Sequence, residues 1–201
     1  MLPVLAAQAG NRALSVATRR EIFDCSRLVS VFEGCFGVTE NTSLVGGAQE
    51  PLYRPADDNN SRNLLYFRED YFASALHETA HWCIAGAERR RLVDFGYWYA
   101  PEGRSADEQR AFEAVEVKPQ ALEWIFSLAC GYRFRISVDN FADRGELVDT
   151  SDFRRKVATQ ARHWQRVGLP PRAARFTRAL RQEFATPAAL PERCFEPEAL
   201  A

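Results

Sequence analysis

Residues 76–83 read LHETAHWC, and the five from His77 to His81 form a His-Glu-x-x-His pattern. In an α-helix, positions four apart differ by about 40° of rotation and about 6 Å of rise, so both imidazoles project from one face and can reach one ion. The flanking residues support a helix: Asp70 is placed to cap it and Gly86 to end it. Two imidazoles do not complete a metal site, and the usual third donor is a carboxylate from a neighbouring helix. The stretch FEAVEVKPQALEW, residues 112–124, supplies candidates. Glu116 sits beside Val115 and one turn after Phe112, at the edge of the apolar face, and is preferred; Glu113, a turn earlier and more exposed, is the second choice. These donors serve two chemistries. A zinc peptidase would use Glu78 as the general base on a metal-bound water. A non-haem iron(II) oxygenase carries the same two histidines and one carboxylate with open positions for substrate and oxygen.

Outward from this helix, the chain alternates helical and extended patterns. EIFDCSRLVSVFEGCFG, residues 21–37, spaces its apolar side chains as an amphipathic helix with Gly37 as a stop. Residues 41–63 are rich in Gly, Pro, Asn and Asp and predict a loop with a short strand around Leu52 and Tyr53. NLLYFRE, residues 63–69, is β-prone, as is LVDFGYWYAPEG, residues 92–103, closed by a turn at Pro101–Gly103. Ser105 and Glu108 have the spacing of a capping box, opening a helix whose apolar face runs through Phe112, Val115, Leu122 and Phe126, with a kink or restart at Pro119. PRAARFTRALRQEFA, residues 171–185, is the last clear helix. No internal repeat interrupts this order.

Length and composition describe one domain: 201 residues, 46% hydrophobic, with no second composition regime. The first twenty residues contain an apolar patch, but no basic residue precedes it and it is too short for a signal peptide. No later run approaches the roughly 18 apolar residues of a membrane span. The net charge is −1, and neither nucleic acid nor membrane is an expected partner. Five cysteines at 25, 35, 83, 130 and 194 form neither a paired framework nor a metal knuckle, which fits a reducing cytoplasm.

The longer words are more specific than the metal motif. YFASALHETAHWCIAGAERRRLVDFGYWYAPEGR (71–104) followed by FEAVEVKPQALEW (112–124), with PLYRPAD (51–57) and PPRAARFTRAL (170–180), closely resembles the bacterial elongation factor P hydroxylase family. The resemblance runs from about Asp24 to Phe184. It leaves residues 1–23 as an N-terminal extension and 24–201 as a single catalytic domain. It implies an α+β, zincin-like domain in which a small β-sheet packs against helices and the metal site lies on the His-Glu-x-x-His helix. It further implies an iron-dependent monooxygenase, with Fe(II) as cofactor and molecular oxygen as co-substrate. Its substrate would be the β-lysylated lysine of elongation factor P. His77, His81 and Glu116 then become iron ligands, and Glu78 takes a catalytic role through hydrogen bonding or proton handling.

A lysyl-lysine side chain brings ammonium groups close to a divalent ion, so non-ligand carboxylates are expected in the pocket. Asp94, Glu113 and Asp139 are the candidates, with Tyr97, Trp98 and Tyr99 offering cation–π contact. Plainer roles suit other features. His163 reads as a lone surface or core histidine, Cys83 as packing, and both Arg89–Arg91 and the stripe Arg172, Arg175, Arg178, Arg181 as solvated faces.

Overall fold

A computed structural model describes residues 21–94, 106–137, 150–187 and 192–200. Asp24 opens helix α1 (Cys25–Phe32), its carboxylate accepting from Ser26 N at 2.7 Å, and a π-helical turn over Glu33–Gly37 continues it. Three strands follow: β1 (Thr42–Ala48), β2 (Leu52–Arg54) and β3 (Asn63–Arg68). Their order is β1-β3-β2, with β1 parallel and β2 antiparallel to the central β3. Four α-helices follow among the described residues, α2 (Phe72–Ile84), α3 (Ala106–Cys130), α4 (Ser151–Val167) and α5 (Pro171–Glu183), with short 3₁₀ turns at Arg89–Arg91, Glu192–Phe195 and Pro197–Leu200. The architecture is α+β in one domain.

Strand β1 lies where the sequence predicts loop. Its TSLVGGA carries two glycines, which depress β-propensity, yet both have a structural use. The pairing with β3 shifts register between Val45 and Ala48, Gly47 adopts φ +85° there, and a Cβ on Gly46 would stand 2.8 Å from the Phe67 ring. The expected strands around Leu52 and from Asn63 are present. Helix α4 is not among the helices expected, although ARHWQRV at its end is amphipathic. Its buried stripe of Phe153, Val157, Ala158, Ala161 and Trp164 is narrow and otherwise surrounded by charge.

Helix α2 stops just before Gly86, as expected, but its capping differs from expectation. Tyr71, not Asp70, occupies the N-cap, with no side-chain cap bond. At the C-terminus, Arg172 from α5 donates to the carbonyls of Trp82 and Cys83, both at 3.2 Å, and to that of Ala85. A cation there satisfies carbonyls that the helix leaves unpaired and complements its dipole. Arg172 is therefore an internal clamp, which corrects the solvated-stripe expectation for this residue; Arg175 and Arg178 do face water. Helix α3 runs through Pro119 without interruption, so the expected restart does not occur.

The core is aromatic. Phe32, Phe36 and Trp82 have ring centroids between 4.8 and 5.2 Å apart, and Phe126 meets Phe176 at 5.0 Å, joining α1, α2, α3 and α5. Each such ring contributes about 1.5–3 kcal/mol on burial. Phe23, at the expected junction with the N-terminal extension, packs 5.3 Å from Phe72 and 5.0 Å from Tyr132. With Leu76, Ala80, Trp82 and Cys83 buried on the back of α2, its opposite face, carrying His77, Glu78 and His81, is fixed toward α3. All five cysteines are free, and Cys83 packs as expected. His163 is exposed.

Candidate metal centre

Helices α2 and α3 pack directly on one another, and their facing sides bring three donors together. The Nε2 atoms of His77 and His81 lie 3.0 Å apart. Glu116 reaches in from α3, with Oε1 3.2 Å from His81 Nε2 and Oε2 3.6 Å from His77 Nε2. All three donor atoms lie within 4.8 Å of one another. Glu116 is only 4% exposed, and its Oε2 is buried without a hydrogen-bond partner. Two converging imidazole nitrogens and a carboxylate oxygen with no hydrogen-bond partner point three possible donor atoms at one place. Such a set fits a divalent cation, and the mixed nitrogen and oxygen donors suit iron or zinc.

The local charges point the same way. Burial alone would lower the pKa of His77, but the hydrogen bond and charge of Glu123, reinforced by Glu116 and Glu78, override it and lift the imidazole to about 10. Burial would raise Glu116, yet the bond from His81 and the charge of both histidines hold its carboxyl below the usual range. Burial pushes Glu78 upward, and it does the same to Glu123 despite the opposing bond from His77. Three acidic side chains gathered around two imidazoles favour positive charge at this point, carried by a proton or by a metal ion.

Cavities approach the cluster from two sides. One is walled by Tyr53, Leu65 and Trp82 and reaches Glu78 and His81, with Arg89, Arg90 and Asp94 at its rim. The other runs along His77, Glu116 and Glu123 under Arg135 and Ser137. Asp94, expected at the substrate pocket, does line the first cavity. Its backbone pairs with that of Tyr53, and its carboxylate accepts from Arg89 Nε. Arg90 pairs with Glu40 at 2.9 Å, so Arg89 and Arg90 are held by ion pairs at the cavity rim, which corrects their assignment to a solvated face. Glu113 stands apart, accepting from Gln109 Nε2 at 3.1 Å, and it is not among the described residues that line either cavity. Tyr97, Trp98, Tyr99 and Asp139 lie outside the described residues, as do Ser105 and the turn at Pro101–Gly103.

Two residues on α3 escaped the sequence reading. Glu123 Oε2 lies 2.8 Å from His77 Nδ1. Gln120 is 1% exposed and binds the backbone of Ser137 through both its amide atoms, at 2.6 and 3.1 Å. The signal was their spacing: Gln120 and Glu123 fall four and seven residues after Glu116, on the same helix face.

Against known proteins, the chain matches the family described as elongation factor P hydroxylase over residues 31–194. It is 49% identical over 153 residues to the elongation factor P lysine hydroxylase of Haemophilus influenzae, which covers 76% of this chain and 85% of that protein.

Proposed function

This chain belongs to the elongation factor P hydroxylase family, and on that premise we propose that the α2–α3 cluster is the centre at which a lysine of elongation factor P is hydroxylated. The protein is an enzyme, a lysine hydroxylase. The observation that carries the assignment of the centre is the convergence of His77, His81 and Glu116 around a buried oxygen with no partner. Zinc hydrolases use the same donors; membership of a hydroxylase family supports the oxygenase reading.

Iron(II) held by these three side chains would supply activation of molecular oxygen, which insertion into a carbon–hydrogen bond requires. The chain's own residues do the rest. The aromatic and apolar back of α2 keeps the donor face rigid and excludes water from one side. The walls of Tyr53, Leu65 and Trp82 suit the methylene stem of an extended lysyl side chain. Glu78, on the same cavity and with a carboxyl pushed upward by burial, holds or passes a proton beside the centre. Asp94, anchored by Arg89, contributes negative charge at the cavity rim, where the ammonium of a β-lysylated side chain would arrive. Tyr97, Tyr99 and Asp139 would serve as further contacts to this substrate, with Glu113, which lines neither cavity, meeting a part of it beyond them. The centre belongs to a zincin-like arrangement of one helix pair beside a small sheet. The unpaired cysteines fit a cytoplasmic setting, and no helix among the described residues is long and apolar enough to cross a membrane.

The test is intact-mass analysis of β-lysylated elongation factor P after incubation with the enzyme, Fe(II) and air. A gain of one oxygen atom is expected. Shortened peptides, or no change in mass with iron bound, would overturn the reading.

A further inference from the structure

Helix α3 carries Glu116, Gln120 and Glu123 along one stripe of the core, with exposures of 4%, 1% and 7%. Polar groups at this depth are costly unless each has a partner. Gln120 is satisfied by the Ser137 backbone, and Glu116 faces the two imidazoles. Glu123 has its hydrogen bond with His77 Nδ1 at 2.8 Å. When ionised, the Glu123 carboxylate can only accept, and the proton of this bond then resides on Nδ1. In the neutral ring Nε2 is then bare, and Nε2 is the atom that faces His81 and Glu116.

Resting on the metal reading above, we propose that Glu123 is a positioning residue of the centre: it selects the tautomer and orientation of His77 and raises its strength as a donor. It is not one of the three converging donors, and acts through the imidazole. The hydrogen bond supplies the geometric part of this role, and the negative charge supplies the electronic part.

Two substitutions in the full chain separate these parts. Glu123→Gln keeps an oxygen able to accept from Nδ1 but loses the charge; Glu123→Leu loses both. Co(II), added alone to metal-free protein, is the probe. Its affinity is read by competition with a chelator, and its visible absorption reports the donor geometry. Relative to wild type, Glu123→Gln should bind Co(II) about 10-fold more weakly with an unchanged band, whereas Glu123→Leu should lose about 100-fold and shift the band. A merely structural role would lower the melting temperature and leave both readouts unmoved. The near-isosteric Gln variant decides the matter if the Leu variant fails to fold. Binding within about threefold of wild type, with an unaltered band in every folded variant, would overturn the role of Glu123 while leaving the metal centre intact. Failure of the wild type itself to bind Co(II) would instead sink the metal reading, and this proposal with it.

Discussion

Replacing Glu116 with glutamine preserves size and removes one negative charge from a site that water barely reaches. The donor atoms lie within 4.8 Å of one another, so charge separations of about 4 Å apply, and each unit pair is worth about 4 kcal/mol at an effective dielectric of roughly 20. A divalent ion doubles this to about 8 kcal/mol. Neutralising the side chain also relieves the cost of burying a carboxylate, several kcal/mol for a group this enclosed. The net loss is about 2–4 kcal/mol, or about 30- to 700-fold in metal affinity. Glu113→Gln is the matched control: its carboxylate bonds to Gln109 on its own helix, so affinity should stay within about threefold of wild type. Anaerobic titration of Fe(II) against a competing chelator measures both. Full metal affinity in Glu116→Gln, or its loss in Glu113→Gln, would refute the assignment of the carboxylate donor.

Other outcomes follow from the same geometry. His77→Ala or His81→Ala should abolish metal retention and hydroxylation while circular dichroism still reports a folded domain, because the aromatic core on the far side of α2 is independent of the ion; loss of all structure in both variants would count against this. Glu78→Gln should keep measurable hydroxylation, reduced by about 10- to 100-fold, since an oxygenase needs no base to make a hydroxide nucleophile; complete loss with iron fully bound would give Glu78 an obligatory proton-transfer role. For the metal-free protein, the folded-state pKa of His77 is raised from its ordinary 6.5 to about 10. The stabilisation this confers is fully present below about pH 6.5 and is lost as pH rises through about 10. Urea midpoints of metal-free protein should therefore fall across that window, and His77→Ala should flatten the decline.

The sequence reveals the centre more readily than the scaffold around it. The His-Glu-x-x-His spacing is local, so periodicity alone puts both rings on one face, and the apolar edge at Phe112 and Val115 favours Glu116 over Glu113. The carboxylate at Glu123 is 46 residues from the histidine it binds, and only counting onward from Glu116 by helical turns would have exposed it. The capping of α2 by Arg172 spans 87 to 90 residues, and nothing near the helix announces it. Strand β1 was hidden by glycines whose purpose is a bulge and a close approach to Phe67, both properties of the assembled sheet. Helix α4 is masked by its charge, because two alanines serve as core residues in its stripe.

Pro119 gives α3 a mechanical property. Lacking an N–H, it removes the rung that would close on the Val115 carbonyl, beside Glu116 and three residues before the turn that carries Leu122 and Glu123. A helix missing one rung is a beam with a soft joint. Glu116 sits at that joint, whereas Glu123 sits on the stiff segment beyond it, locked into the core through Leu122, Trp124 and Phe126. The two carboxylates that meet His77 thus hang from parts of one helix that differ in stiffness.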